Sequence, residues 1–272
     1  MPELPEVETV RRGLAPHLLG QRIDTIVVRE PRLRWPIPES LSRRASGHSV
    51  VSLMRRGKYL IAALDSGDRL ILHLGMSGRL LVVDLDTPVE KHDHVDFELA
   101  SGTLIRFRDP RRFGALLLWP SGEETHPLLE GMGPEPFDAE FNGAYLFRRS
   151  RGRRVSIKSF IMNGRIVVGA GNIYATESLF RAGIRPRRAA SRLSRAECDR
   201  LVSMVRKIIE EAIDLGGTTL RDFAGAHGEA GYFQQELLVY GREGEGCAVC
   251  GTLIKRVLVN QRSSFYCPHC QC

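Results

Sequence analysis

The sequence has no long hydrophobic run and no basic, apolar leader. A membrane-spanning helix needs about 18 consecutive apolar residues, and no such stretch occurs. The first residues are acidic, whereas a secretory signal begins with basic residues followed by an apolar segment. Internal repeats and low-complexity tracts are missing as well. We therefore expect a cytoplasmic protein of packed domains, and 272 residues with 43% hydrophobic residues provide enough apolar material for two cores.

Acidic residues are outnumbered, and the excess of basic residues is concentrated locally. Lys and Arg total 39 against 32 Asp and Glu, which gives a formal net charge of +7. The segments 148–158 and 181–195 are rich in arginine and contain no acidic residue. Charge runs are usually solvated faces, but two of them on a basic chain favour a polyanionic partner.

The first half of the chain has the pattern of a β-sandwich or barrel. Short β-rich runs separated by turn residues occupy 23–28, 50–54, 59–64, 70–74, 80–85, 95–99, 104–107 and 115–119. A helix is predicted ahead of them, with Pro5 at its first position and Val7, Val10 and Leu14 on one face. Pro2 and Glu3 then lie just ahead of a helix N-terminus.

The second half is predicted to be helical. The segment 120–136 is rich in Gly, Pro and Glu and lacks periodicity, which indicates a linker near residue 134. Ser194 and Glu197 have the spacing of a capping box. Apolar residues at helical spacing follow from 201 to 212, and Gly216 and Gly217 end the run.

Four cysteines near the C-terminus have the spacing of a metal site. Two CxxC pairs, separated by sixteen residues, contain Cys247, Cys250, Cys267 and Cys270. This pattern predicts a tetrahedral site for one structural zinc ion, with disulfides as the alternative. The apolar runs 253–259 and 264–266 would form a hairpin between the pairs and carry Arg262 in its loop.

The N-terminus offers a possible nucleophile. Removal of Met1 would leave Pro2 with a secondary amine beside Glu3. An α-amino group has a reference pKa near ~8 and a lysine near ~10.4, so the terminal amine is unprotonated, and hence nucleophilic, far more often at neutral pH. Ordinary N-terminal trimming without catalysis is the alternative.

Several sequence blocks together resemble the formamidopyrimidine-DNA glycosylase family over essentially the whole chain. The blocks are PELPEVE at 2–8, KYL at 58–60, HLGMSG at 73–78, DPRRFG at 109–114, GAGNIY at 169–174, GYFQQE at 231–236 and 261–270 with its last two cysteines. The resemblance implies a multidomain α+β fold. An N-terminal β-sandwich with a leading helix (1–134) would precede a helical helix-two-turn-helix domain (135–240) and a zinc-finger hairpin (241–272), with DNA bound across the cleft.

The resemblance also implies an activity and its residues. The family are bifunctional DNA glycosylases and AP lyases that excise oxidised purines from duplex DNA through an imine on the N-terminal proline, followed by β,δ-elimination, in base excision repair. The implied catalytic residues are Pro2, Glu3, Lys58 and Arg262. The implied DNA contacts are His73, Met76, Arg111, Arg112, Phe113, Lys158 and Asn172, of which Met76, Arg111 and Phe113 would fill the gap left by the flipped nucleotide. Residues 218–232 correspond to a segment that closes over the extruded base.

The expected partner is double-stranded DNA that contains oxidised or abasic sites, with no membrane and no obligate protein partner, and a monomer is the default. Two alternatives stay open: the endonuclease VIII branch, which prefers oxidised pyrimidines, and a zinc-finger DNA-binding protein without catalysis. His92 and His94 are interpreted as part of a polar strand face and not as a second metal site.

Overall fold

The computed structural model describes residues 2–217 and 236–272. The described chain divides into two compact units. The first contains residues 2–130 and 215–217, and the second contains residues 131–214 and 236–272. The helical region and the cysteine-rich segment therefore belong to one unit. The three domain boundaries proposed from the sequence remain predictions.

The first unit is a sandwich of two antiparallel sheets with a leading helix. In chain order its elements are α1 (Leu4–Leu18), β1 (Ile23–Val28), α2 (Ser40–Ala45), β2 (Val50–Arg56), β3 (Tyr59–Leu64), β4 (Arg69–His73), β5 (Arg79–Asp84), β6 (Asp93–Leu99), β7 (Thr103–Arg108) and β8 (Ala115–Trp119). One sheet has the order β1-β6-β7-β5, and the other has the order β2-β3-β4-β8. Each of the eight predicted runs forms a strand, so the β-sandwich prediction is confirmed.

One apolar cluster fills the space between the sheets. Alternate residues of β6, Val95, Phe97 and Leu99, point into it, as the period of two in a strand requires. Val7 and Val10 bring the apolar face of α1 onto the same cluster. The helix begins at Leu4, so Pro5 occupies its second position, where no intrahelical hydrogen bond is lost.

His92 and His94 do not lie on one strand face, as the sequence had suggested. His92 lies in the turn before β6 with φ +77°, so it does not share a strand face with His94. His94 is buried, and its Nε2 lies 2.8 Å from the Asp109 carbonyl. Asp96 is also buried and receives two hydrogen bonds from Arg106 across the β6–β7 pair. The polar residues of β6 therefore form a buried hydrogen-bonded network, which does not include His92.

The second unit is helical and ends in a small hairpin. Its elements are α3 (Gly143–Ser150), α4 (Ile157–Ile161), α5 (Asn172–Arg181), a 3-10 turn (Ala190–Arg192), α6 (Arg195–Asp214), β9 (Lys255–Val259) and β10 (Arg262–Tyr266). The predicted capping box closes the start of α6: Glu197 Oε2 accepts from Ser194 N–H at 2.7 Å, and Ser194 Oγ accepts from Glu197 N–H at 3.2 Å. The helix ends at Asp214, just before the predicted glycine stop.

The hairpin has a core of only a few side chains. Phe265 and Ile254 pack with Phe180 of α5, together with Val239 and two of the cysteines. A core of this size leaves much of the hairpin's stability to its metal site. No helix among the residues that the structure describes is both long and apolar enough to cross a membrane.

Candidate active site

The N-terminal residues are buried within the first unit. Pro2 and Glu3 are buried, and so is Glu6, one turn into α1. Glu6 Oε2 accepts the backbone N–H of Glu3 at 2.7 Å, which is one half of a capping box. This bond fixes the chain direction at Glu3. It thereby holds Pro2 and the Glu3 carboxyl group at the positive end of the helix dipole.

The third N-terminal carboxylate has a different environment. Glu8 accepts hydrogen bonds from Arg11 and Arg12 and pairs with Arg55 at 3.2 Å. Burial alone would raise the pKa of Glu8, but these guanidinium groups outweigh it and lower the pKa. Glu8 is therefore a structural anion that ties α1 to β2 and is not a candidate for proton transfer.

Lys58 and His73 come together through strand pairing. Lys58 lies in the β2–β3 turn, and the next residue, Tyr59, pairs with His73 at the end of β4. Burial, followed by the positive charges of Lys58 and Arg34, lowers the pKa of His73 from its ordinary 6.5 to about 4. His73 Nδ1 accepts from Gly75 N–H at 3.0 Å. The neutral ring therefore carries its proton on Nε2, where it can donate to a phosphate oxygen.

One buried carboxylate joins the two loops that carry Met76, Arg111 and Phe113. Asp109 is fully buried, and its Oδ1 accepts the Ser77 hydroxyl at 2.6 Å. Its Oδ2 accepts Gly114 N–H at 2.8 Å. Asp109 thus holds the 75–78 turn and the 109–114 loop to each other.

Close backbone packing reinforces this junction. A Cβ on Gly75, which has φ +64°, would lie 2.4 Å from the carbonyl carbon of Phe113. Phe113 is 45% exposed, and the Arg111 guanidinium lies 4.8 Å from the centre of its ring. Arg112 is exposed with φ +54° and pairs with Glu30 at 3.3 Å. An exposed aromatic ring on a rigid loop suits a wedge between bases.

Asn172 begins α5 in the second unit. Gly171 is the N-cap, and Gly169 has φ +83°. Asn172 Nδ2 donates to the Tyr240 hydroxyl at 3.2 Å, which ties α5 to the segment that enters the finger. The backbone N–H groups at a helix start are suited to a phosphate.

The four cysteines form a compact set. Their ligand atoms all lie within 4.8 Å of one another. The Cys250 and Cys267 sulfurs are 3.5 Å apart, and those of Cys247 and Cys270 are 3.9 Å apart. A tetrahedral site with Zn–S bonds of ~2.3 Å separates its sulfurs by ~3.8 Å, so the set fits one structural zinc ion. Neither Cys198 nor Cys272 belongs to this cluster.

Arg262 lies at the tip of the hairpin and is exposed. It is the first residue of β10 and pairs with Val259 across a two-residue turn. The turn residues, Asn260 and Gln261, have φ +46° and +60°. Positive φ at both central residues is what a tight two-residue hairpin turn requires, and asparagine adopts it more readily than most residues.

Lys158 does not occupy the position that a direct DNA contact requires. It is fully buried, and its Nζ donates to the Ser263 carbonyl at 2.9 Å and to Ser264 Oγ at 2.6 Å. An ammonium group in that position is directed at the finger hairpin and not at solvent. The sequence-based assignment of Lys158 as a DNA contact is therefore corrected to a contact within the protein.

Two important residues were missed by sequence reasoning. Asp109 was noted only as part of a sequence block, although a carboxylate directly after a strand and before a proline is a recognisable turn signal. Glu177 of α5 accepts the backbone N–H groups of Leu238, Val239 and Tyr240. Burial raises the pKa of Glu177, whereas these three bonds favour its anion. No sequence pattern marks it. The predicted closing segment 218–232 lies outside the described residues.

Three family models match the chain in succession. The formamidopyrimidine-DNA glycosylase N-terminal domain matches residues 1–116, and the H2TH domain of the same family matches residues 132–224. The zinc finger found in FPG and IleRS matches residues 244–271. Together these matches extend over most of both units, and the last of them is the finger of the second unit.

Individual proteins are similar over the full length. The formamidopyrimidine-DNA glycosylase of Thioalkalivibrio sulfidiphilus is 56% identical over 271 residues, covering 100% of both chains. A Lactococcus lactis Fpg mutant in complex with a Fapy-dG containing DNA is 37% identical, with a TM-score of 0.91 and 99% of each chain covered. The Lactococcus lactis Fpg in complex with an abasic site containing DNA is 36% identical, with a TM-score of 0.90 and 99% of each chain covered. The chain therefore belongs to the formamidopyrimidine-DNA glycosylase family.

Proposed function

We propose that this protein is a bifunctional DNA glycosylase and AP lyase that removes oxidised purines, such as 8-oxoguanine and formamidopyrimidines, from duplex DNA. The observation that carries the proposal is Pro2, which lies buried beside Glu3 at the start of α1 in a chain of this family. The relatives' names and their complexes with Fapy-dG or abasic DNA support the same substrate class.

The first step uses the N-terminal amine. After loss of Met1, the unprotonated ring nitrogen of Pro2 attacks the deoxyribose C1′, and the bond from C1′ to the damaged base breaks. Glu3 is suited to protonate the sugar ring oxygen as the ring opens, because it is adjacent to the nucleophile and held by the Glu6 contact to its backbone. The base leaves with the electron pair of the broken bond and takes up a proton, while Pro2 loses its single N–H proton. The product is a cationic iminium between Pro2 and C1′, because a proline nitrogen has no second proton to lose.

The iminium then permits strand cleavage. It withdraws electrons from C2′, whose proton is removed, and the bond from C3′ to the 3′ phosphate breaks. Loss of the C4′ proton then permits a second elimination, which breaks the bond from C5′ to the 5′ phosphate, and hydrolysis of the iminium by water frees Pro2. We assign Lys58 to assist this step. It is a half-buried cation that directly precedes Tyr59, the residue paired with His73 between β3 and β4. Glu3 serves as the proton shuttle.

The remaining residues present the nucleotide. A base within the duplex hides its glycosidic carbon, so the nucleotide must leave the stack. Phe113 would wedge between bases, Arg111 would face the unpaired partner base, and Met76 would fill the gap. The Asp109 bonds give these three residues a common rigid base.

Phosphate contacts would hold the distorted strand. We assign them to His73, Arg112, Asn172 and Arg262, with His73 as a neutral donor and the arginines as cations. A zinc ion bound by the four cysteines would supply folding energy to the hairpin of Arg262 and takes no part in bond breaking. Four cysteines arranged for a metal ion and not paired in disulfides also support our proposal of a cytoplasmic location.

The proposal is tested by activity on matched duplexes that differ only in the lesion. We expect release of 8-oxoguanine, followed by a one-nucleotide gap with phosphate at both ends, as two eliminations require. A variant with one extra residue ahead of Pro2 keeps every side chain and should lose both reactions, because its proline nitrogen becomes an amide. Cleavage that survives this extension would contradict the proposed nucleophile.

The same assay separates the alternatives. Faster excision of thymine glycol than of 8-oxoguanine would favour the oxidised-pyrimidine branch. Specific binding without any base release would favour a non-catalytic DNA-binding protein.

A further inference from the structure

Two residues of the short helix α4 form hydrogen bonds with the hairpin that carries Arg262. Lys158 of α4 is fully buried and donates to the Ser263 carbonyl and the Ser264 hydroxyl, at 2.9 and 2.6 Å. The next helix residue, Ser159, accepts from Asn260 Nδ2 at 2.9 Å. Arg262 lies between Asn260 and Ser263 in the chain, so consecutive residues of α4 hold both sides of its turn.

The support below these contacts is itself fixed. Ser156 caps α4, its Oγ accepts Ser159 N–H at 3.2 Å, and its hydroxyl donates to Ser159 Oγ at 2.8 Å. Ser264, the partner of Lys158, is fully buried. The Ser159 hydroxyl therefore has a defined direction, and the Lys158 ammonium meets its acceptors away from water.

A lysine in this position needs an explanation. Burying an ammonium group is costly, and an apolar side chain of similar length would pack there without that cost. The hairpin has a small core, so packing alone fixes its orientation weakly. Directional hydrogen bonds to consecutive hairpin residues, Ser263 and Ser264, can set the orientation of β10, whereas apolar contacts have no direction.

We propose that Lys158 is a positioning residue, which sets the hairpin turn so that Arg262 meets a DNA phosphate in a fixed direction. Lys158 itself does not contact DNA. The tight two-residue turn at Asn260 and Gln261 fixes Arg262 close to the Asn260 and Ser263 contacts, so a shift of the hairpin would move its guanidinium group. This inference rests on the proposed function, because it assigns Arg262 to DNA.

A double-mutant cycle tests it. Binding of a duplex with a tetrahydrofuran abasic analogue is measured at several salt concentrations for Lys158→Met, Arg262→Ala and the double variant. We expect each single change to weaken binding about tenfold, the size of one lost charge-assisted hydrogen bond. The double variant should bind no more than about twofold more weakly than Arg262→Ala alone, because Lys158 acts through Arg262.

Salt dependence distinguishes positioning from contact. Each lost phosphate contact lowers the slope of log affinity against log salt by ~0.9. The slope should fall once in Arg262→Ala and no further in the double variant. Multiplicative losses, or a second fall in slope, would overturn the inference and indicate that Lys158 contacts DNA directly or acts independently.

Controls keep the outcomes separate. Lys207→Met removes an exposed lysine of α6 and should leave affinity unchanged. If Lys158→Met loses zinc or melts early, Ser264→Ala replaces it in the cycle, since it removes one of the two acceptors of the Lys158 ammonium group without changing charge. Additivity there also overturns the inference. If the wild-type protein does not prefer the abasic duplex over an undamaged duplex, the result contradicts the proposed function and not the role of Lys158.

Discussion

At the scale of single residues, the fold sets the chemical form of His73. Burial and the charges of Lys58 and Arg34 lower its pKa to about 4 from 6.5. Because folding favours the neutral ring, His73 stabilises the fold fully above pH 6.5, and this contribution is lost as the pH falls towards 4. An NMR titration of the His73 ring should give a pKa below about 5, and His73→Gln should flatten the pH dependence of the unfolding free energy in that window. A ring pKa near 6.5 would contradict the neutral-donor role.

Asp109 is the residue on which both wedge loops depend. Asp109 accepts the Ser77 hydroxyl with one carboxylate oxygen and the Gly114 N–H with the other. Asp109→Asn keeps one of these oxygens and replaces the other with an NH2 group, which cannot accept a hydrogen bond, so one of the two bonds is lost. A lost hydrogen bond to a charged group is worth ~1.5–3 kcal/mol, so excision of 8-oxoguanine should slow by about tenfold or more. Single-turnover rates measure this effect.

Cleavage at a pre-formed abasic site should be affected less, because no base has to be extruded. Ser77→Ala, which removes one of the Asp109 contacts, should show a smaller loss of the same kind. Equal losses on both substrates would show that Asp109 does not act through the wedge.

Residue chemistry was only partly predictable. The cysteine set follows from spacing, since four thiolates at that interval have few other uses. The DNA-contact role of Lys158 came from the family resemblance, which does not indicate burial, and only three-dimensional packing shows that this lysine is buried against the hairpin. Glu177 has partners more than 60 residues away, so no local pattern reveals it.

At the scale of elements, the 75–78 turn must pack against the 113–114 backbone. Gly75→Ala combines a left-handed φ of +64° with a Cβ placed 2.4 Å from Phe113 backbone atoms. Gly20→Ala is the matched control, with φ +74° and open space around it. The control should lose roughly 1–2 kcal/mol from the left-handed conformation alone.

Gly75→Ala should lose more stability than the control, because backbone atoms must also move. It should also bind the abasic duplex more weakly, which Gly20→Ala should not. Melting temperatures and binding constants for the two variants provide the comparison. Equal losses in both would mean that the close approach has no role.

The finger hairpin is expected to depend on its metal. Cys267→Ser removes a buried ligand, so the zinc-to-protein ratio should fall well below one and DNA affinity should drop with it. Cys272→Ser changes an exposed thiol outside the cluster and should retain one zinc ion per chain. Elemental analysis with binding assays measures both. A wild-type ratio near zero would remove the zinc site from the account.

The order of the helices and strands was more predictable than the burial of the side chains on them. The strands and α6 follow from periods of two and 3.6 and from turn and cap residues, which act locally. The expected strand face shared by His92 and His94 was wrong in one respect, because His92 lies in the turn before β6. His94 and Asp96 are polar but buried, because the Asp109 carbonyl and Arg106 satisfy them across the fold.

At the scale of the whole molecule, two compact units carry complementary parts of the proposed activity. The first unit carries Pro2, Glu3 and the Asp109-linked loops, and the second carries Arg262. This division of roles was predicted from the family resemblance. The composition predicted only that a basic chain binds a polyanionic partner. Periodicity alone did not predict the helix-two-turn-helix region, because its signature is a tertiary arrangement of helices and not a repeat.

The most direct measurement is a peptide map of the covalent intermediate. Protein incubated with an 8-oxoguanine duplex is reduced with borohydride, digested and analysed by mass spectrometry. We expect a DNA-derived mass on the peptide that begins with Pro2, without Met1. An adduct on Lys58 or any other lysine, or an active protein that still carries Met1, would contradict it.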